Sequence, residues 1–73
     1  MEKKMSNLSE RLLLLRKERK LKQEDLLEPL EVTVRTYRRY ETGEREPCAS
    51  TLRKIADFYD VSADYLLGRT DTP

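Results

Sequence analysis

QEDLLEPLEVTVRTYRRYETG, residues 23–43, is the stretch that decides the fold. Its first half carries leucines at helical spacing, and Thr33 then supplies the side chain of a helix N-cap. Tyr37 and Tyr40 share one side of the second segment, and Gly43 is a typical residue just past a helix end. The stretch therefore predicts two short helices joined by a turn of about three or four residues, a unit that can place its second helix in a DNA major groove.

The side of the second helix away from the tyrosines is rich in arginine, at Arg35, Arg38 and Arg39. Arginine can bond guanine O6 and N7 in a bidentate way, and the neighbouring Val34 can contact a thymine methyl. The alternative is that these arginines only solvate an exposed helix face. The pattern by itself leaves both interpretations open.

One residue in the stretch opposes a regular helix. Pro29 comes late in the first helix, where its ring conflicts with the carbonyl of Asp25. We therefore expect the first helix to end or kink around Glu28.

Helical patterns on either side of this stretch predict three more helices. The first opens behind a capping box of Asn7 and Glu10, the fourth follows Pro47, and Ser62 caps the last. We predict an all-α fold, a compact bundle of five short helices. Its expected divisions are an N-terminal basic tail at 1–7, a helix-turn-helix domain at 8–69 and a C-terminal tail at 70–73.

Composition narrows the classes of protein that the chain can belong to. It has no His and a single Cys, Cys48, so a zinc site would have too few ligands and we expect no bound metal. A single Cys cannot form a disulfide within the chain, so we expect the protein to lie in the reducing cytoplasm. No apolar run reaches the ~18 residues of a membrane span. No nucleophile, base and orienting group form a set, so we do not expect an enzyme. Net charge is only +1, but residues 1–20 hold seven basic against three acidic groups.

A series of short matches runs along residues 8–69 and resembles the Cro/C1-type helix-turn-helix regulators, the XRE family. The matching residues are Leu15-Arg16, Leu21, Gln23-Glu24-Asp25-Leu26, Val32-Thr33, Thr36-Tyr37, Tyr40-Glu41-Thr42-Gly43, Pro47, Leu52, Ile55-Ala56, Val61-Ser62 and Asp64-Tyr65-Leu66-Leu67-Gly68. The resemblance implies a lambda-repressor-like fold with the helix-turn-helix in helices 2 and 3. It also implies a sequence-specific, double-stranded DNA-binding transcriptional regulator without cofactors, a repressor that binds a palindromic operator as a homodimer.

The resemblance also implies roles for individual residues. Contacts to base edges fall to Val34, Arg35, Arg38 and Arg39. Contacts to phosphate fall to Gln23, Thr33, Thr36 and Arg45, although the two threonines could instead cap the helix. A structural ion pair joins Arg16 to Glu41, and the pairing surface of the dimer includes Ala63, Tyr65 and Leu67.

Two departures from the family pattern affect the geometry. Glu31 occupies a turn position usually held by Gly, where a left-handed backbone would cost about 1 kcal/mol. Leu27 replaces a usual Ala, so it must find space or push the two helices apart.

The second hypothesis is a protein-interaction module on the same fold. Leu12 to Leu15 are four consecutive leucines, which cannot all face one side of a helix. Leu13 and Leu14 either form a wider apolar band or contact a partner protein.

Overall fold

The computed structural model describes residues 7–73, and of Asn7 only the backbone. The basic tail predicted for 1–7 and the proposed capping by the Asn7 side chain therefore lie outside the described residues. The described chain forms α1 (Asn7–Glu18), α2 (Glu24–Leu30), α3 (Val34–Thr42), α4 (Ala49–Tyr59) and α5 (Ala63–Leu66), with no strand among residues 7–73. The prediction of an all-α fold with five short helices is confirmed. None of these helices is long and apolar enough to cross a membrane.

Every helix contributes to one core. The fully buried side chains include one from each helix, namely Leu12, Leu26, Tyr37, Ile55 and Leu66. Burial of a Leu or Ile side chain stabilises the fold by about 1.5–3 kcal/mol. Because α3 places its tyrosines in this core, the opposite side of α3 faces solvent.

The four consecutive leucines of α1 divide between core and surface. Leu12 and Leu15 are buried, whereas Leu13 and Leu14 remain 36% and 48% exposed. The 100° step between successive helical residues makes this division unavoidable.

Three helices end on a residue other than glycine in the left-handed conformation. Lys20, Glu31 and Asp60 have φ of 57°, 57° and 56°. After α2 the N–H of Val32 bonds to the carbonyl of Leu27 at 3.1 Å. The N–H of Glu31 donates to the carbonyl of Glu28, also at 3.1 Å, which completes a Schellman motif. The same pair of bonds forms after α1 and after α4. In each case the bonds satisfy carbonyls at the helix end and offset the cost of the backbone conformation.

Of the two outcomes expected at Pro29, an end or a kink of α2 around Glu28, the end is wrong, because α2 continues to Leu30. Pro29 removes one hydrogen bond, the one to the carbonyl of Asp25, and its ring lies on the exposed side. The Schellman motif closes the helix after Pro29, and Leu30 is buried in the core. These contacts outweigh one missing bond in so short a helix.

Leu27 finds space without entering the centre of the core. Its side chain is partly buried against the core and lines a cleft between α2 and α3, opposite Val34.

A guanidinium on α1 holds the end of the chain against the domain. Arg11 donates to the carbonyls of Tyr65 and Thr70, both at 2.7 Å, and to the carboxylate of Asp71 at 2.8 Å. The guanidinium carbon also lies 4.2 Å from the centre of the Tyr65 ring. Residues 70 and 71 are thereby attached to the first helix.

A second guanidinium ties α1 to α3. Arg16 Nε lies 2.6 Å from Glu41 Oε2, and its Nη2 lies 3.1 Å from Oε1, so the pair is bidentate. Tyr37 donates its hydroxyl hydrogen to Glu41 Oε2 at 2.5 Å. The Glu41 side chain is only 7% exposed. Burial alone would raise the pKa of this carboxyl group, but the hydrogen bonds it accepts, first of all from Arg16, lower the pKa below its ordinary value of 4.5.

Replacing Glu31 by glycine should raise the free energy of unfolding by about 1 kcal/mol, because glycine adopts the left-handed conformation without a Cβ clash. Urea denaturation followed by circular dichroism measures the change. Glu31→Ala is the matched control, since it removes the exposed 3.4 Å ion pair with Lys54 but keeps the Cβ. An equal gain from both variants would contradict the explanation by backbone strain.

Replacing Glu41 by glutamine should lower the free energy of unfolding at pH 7 by about 3 kcal/mol, because it leaves the Arg16 charge unpaired in a nearly buried site. Since the folded-state pKa of Glu41 is lowered, its contribution is complete above about pH 4.5 and is lost as the pH falls through the lowered value.

Urea denaturation of wild type and Glu41→Gln across this pH range tests both parts of the prediction. The two stability curves should converge towards low pH. Glu28→Gln, at an exposed carboxylate of α2, should run parallel to wild type throughout. Parallel curves for Glu41→Gln as well would show that the ion pair does not carry the stability.

Candidate nucleic-acid interface

The interface is built on α3, whose two ends and inner side are fixed by local contacts. Thr33 caps the helix by accepting a hydrogen bond from the N–H of Thr36 at 3.2 Å, and Gly43 ends it with φ of 84°. On the inner side Tyr37 and Tyr40 are buried, with ring centres 6.3 Å apart in an edge-to-face arrangement. These contacts fix which side of α3 faces outward.

The outward side carries the residues predicted to contact base edges. Arg35 and Arg39 lie one turn apart, so they project from nearly the same face. Their side chains form no hydrogen bond or ion pair with any residue of the described chain. Val34 is half-buried and lines the cleft between α2 and α3. Arg35 and Arg38 are exposed, whereas Arg39 is half-buried. Arg38 differs from the other two arginines because its Nε donates to Gln23 Oε1 at 3.1 Å.

The residues predicted to contact phosphate are placed less uniformly. Thr33 and Thr36 bond to each other, their hydroxyl oxygens 3.1 Å apart, in the capping role that the sequence left open. Arg45 is exposed on the loop after α3, and its N–H bonds to the carbonyl of Arg39 at 3.3 Å. The two threonines thus lie at the beginning of α3, and Arg45 lies just beyond its end.

Gln23 lies immediately before α2 and has partners on both sides of its amide. It accepts from Arg38, and its Nε2 donates to Glu41 Oε1 at 3.2 Å. The link between Gln23 and Arg38 was not predicted. The only available signal was topological, because the two residues lie at the start of one helix and midway along the next.

The hydroxyl of Tyr37 completes the polar cluster beneath the interface. Desolvation, and then the hydrogen bond to the Glu41 carboxylate, raise the pKa of Tyr37. The hydroxyl therefore remains a neutral donor at physiological pH. The cluster positions α3 through Glu41, which accepts from Arg16, Gln23 and Tyr37.

The residues predicted to form the dimer interface differ in their exposure to solvent. Ala63 and Leu67 are exposed, Leu67 to 47%. Tyr65 is buried, and its ring is covered by the Arg11 guanidinium. Within residues 7–73 no group of His, Cys, Asp and Glu side chains could hold a metal ion.

Comparisons with known proteins agree with this architecture. The sequence model of a family described as Helix-turn-helix, HTH_3, matches residues 12–66. An uncharacterised HTH-type transcriptional regulator of Bacillus subtilis strain 168, YqaE, is 46% identical over 59 residues, which cover 81% of this chain and 51% of YqaE. A second one from the same strain, YobD, is 42% identical over 64 residues, which cover 88% of this chain and 57% of YobD.

A solved structure shows the same arrangement of helices. The crystal structure of a transcriptional regulator from Listeria innocua matches with a TM-score of 0.83 and 34% identity, and the match covers 89% of this chain and 61% of that one. The lambda-repressor-like fold is thereby confirmed. The chain spans about half the length of the curated relatives it matches. The resemblance inferred from the sequence is confirmed, and the chain belongs to the Cro/C1-type (XRE) helix-turn-helix family.

Proposed function

We propose that the chain binds double-stranded DNA sequence-specifically and regulates transcription, as a repressor that occupies a palindromic operator in the form of a homodimer. One observation carries the proposal: Arg35 and Arg39 stand one turn apart on the outward side of a helix whose inner side is locked into the core. A rigid helix with unpaired arginines on its outer face is suited to the major groove. The relatives YqaE and YobD are named as HTH-type transcriptional regulators, which supports the same class of function.

Arg35 and Arg39 are the proposed readers of base edges. Each guanidinium can bond O6 and N7 of a guanine, and neither has to break an existing bond to do so. Val34, at the start of α3, adds an apolar contact to a thymine methyl. Bidentate contacts of this kind discriminate against a wrong base by about 1–3 kcal/mol each.

Contacts to phosphate would position α3 on the duplex. Arg45 follows α3, and Thr33 and Thr36 lie at its beginning, so these residues can meet the backbone at both ends of the recognition helix. Such contacts fix the register of the protein without reading sequence.

Dimerisation follows from how little one recognition helix can read. Two copies on half-sites about 10 base pairs apart would supply the specificity that a single helix lacks. Ala63 and Leu67 supply exposed apolar atoms for this pairing, whereas Tyr65 is committed to the interior of its own protomer. In this proposal the bound dimer represses transcription by occupying DNA that a polymerase needs. The proposed location is the cytoplasm, whose reducing conditions suit the lone thiol of Cys48.

The second candidate function is a protein-interaction module. The exposed Leu13 and Leu14, adjacent on α1, favour it, because contiguous exposed apolar side chains mark surfaces that contact a partner. Changes at these leucines would then matter more than changes at the arginines of α3.

Selection of bound duplexes from a random pool at near-physiological salt should enrich a two-fold symmetric motif. Arg35→Ala and Arg39→Ala should each weaken binding to that motif by about 1–3 kcal/mol and relax the preference at one base position per half-site.

Arg69→Ala provides the charge-matched control. Arg69 follows α5, away from α3 in the sequence, and its exposed guanidinium pairs with Asp64 of α5. The affinity and motif of this variant should equal those of wild type. If no motif is enriched, or if Leu14→Ser weakens binding of a cellular partner while the arginine variants bind DNA like wild type, the protein-interaction function replaces the proposed one.

A further inference from the structure

Arg38 lies on a different flank of α3 from the two unpaired arginines. At about 100° per residue, Arg35 and Arg39 are about 40° apart around the helix, whereas Arg38 is displaced about 60° from Arg35. The displacement is towards the start of α2, as the hydrogen bond to Gln23 shows. Arg38 therefore stands on the flank of the outward face that borders α2, with Arg35 between it and Arg39.

This flank borders a cleft of about 720 Å³ between the start of α2 and α3. The polar side chains that line it include Lys22, Gln23, Glu24 and Arg38. Arg16 also lines the cleft, but its charge is already neutralised by Glu41. Two cations, Lys22 and Arg38, and the carboxylate of Glu24 thus line the same cleft, which leaves it with an excess of positive charge.

The amide of Gln23 can adopt only one orientation. A carboxylate accepts hydrogen bonds and cannot donate them, so the side of the amide that faces Glu41 must be the NH₂ group. The amide oxygen then has to face Arg38. Because Glu41 is itself held by Arg16 and Tyr37, the position of this oxygen is fixed by the interior of the protein.

The fixed oxygen restricts Arg38. Its Nε is bonded at 3.1 Å to Gln23, which sets the plane of the guanidinium and limits how far the group extends from α3. A guanidinium has five N–H donors, and the four on the two Nη atoms remain without a partner in the described chain. A group with this restricted reach and these free donors suits a phosphate oxygen beside the helix better than a base edge beneath it.

We propose that Arg38 is a ligand of the DNA backbone and not a reader of bases, and that Gln23 is a positioning residue that holds it at the mouth of the cleft, with Lys22 as a second cation beside the same phosphate. This inference rests on the proposed function, since the phosphate belongs to bound DNA. It reassigns both residues relative to the roles that the family resemblance implies: Arg38 leaves the base-reading set, and Gln23 acts through Arg38 instead of on the phosphate itself.

The experiment measures affinity for the selected duplex and for a scrambled duplex of the same length, at several salt concentrations. Arg38→Ala should weaken binding to both duplexes by the same factor, about three- to tenfold, and lower the slope of log K against log salt by about 1. The motif selected by this variant should equal that of wild type. Arg69→Ala is again the charge-matched control and should leave the slope unchanged.

Gln23 is tested by Gln23→Met, which keeps the length of the side chain and removes its hydrogen bonds. Alone it should weaken binding to both duplexes by about threefold, as expected for lost preorganisation. Combined with Arg38→Ala it should add nothing, since a positioning residue has no effect without the group that it positions. Arg38→Lys keeps the charge without an Nε, so it should restore most of the salt slope and be insensitive to Gln23→Met. Arg38→Lys leaves the hydrogen bond between Gln23 and Glu41 intact. Its salt slope therefore tests the role of the Arg38 charge even if Gln23→Met is unstable.

Each contrary result overturns a different statement. A changed base preference in Arg38→Ala would make Arg38 a base reader. A further loss when Gln23→Met is added to Arg38→Ala would make Gln23 a direct DNA ligand. If Arg38→Ala kept the affinity and the salt slope of wild type, Arg38 would not be a phosphate ligand, while the DNA-binding function would stand. A wild-type protein that binds neither duplex would instead overturn the proposed function.

Discussion

A carboxylate withdrawn from water must be paired, and in this protein that requirement fixes the relation between the first and third helices. Glu41 belongs to α3, and its partner Arg16 belongs to α1. Arg16 also donates to the carbonyl of Leu21 at 2.9 Å, so one guanidinium holds α1, α3 and the connection that leads to α2. Loss of either partner would leave an uncompensated charge, which costs far more than the pair contributes. The outward face of α3 therefore depends on an interaction on its opposite side.

The helices of this fold were predictable where short-range chemistry determines them. Thr33 and Ser62 cap α3 and α5 through their own side chains, and Gly43 and Gly68 follow the ends of these helices with positive φ. The error at Pro29 has a different source. A sequence shows which hydrogen bond a proline removes, but not the tertiary burial of Leu30 that holds the next turn in place.

The functional side of the molecule was less predictable, because polar side chains take partners that are distant in sequence. Gln23 can donate and accept equally well, so its partners follow from where Glu41 and Arg38 happen to lie. The ring of Tyr65 is likewise covered by Arg11, 54 residues earlier, a contact that no local pattern indicates. Net charge was similarly uninformative, since +1 for the whole chain conceals three arginines on the side of α3 away from its buried tyrosines.

The contacts of Arg11 also have a consequence for biosynthesis. They join positions 54 to 60 residues apart, which encloses the helix-turn-helix within a loop that spans nearly the whole described chain. Closing such a loop is an entropic cost that must be met before its contacts contribute. During translation α1 emerges first but meets these partners last. The domain therefore completes its folding only after residue 71 has left the ribosome, and the nascent helix-turn-helix lacks this brace until then.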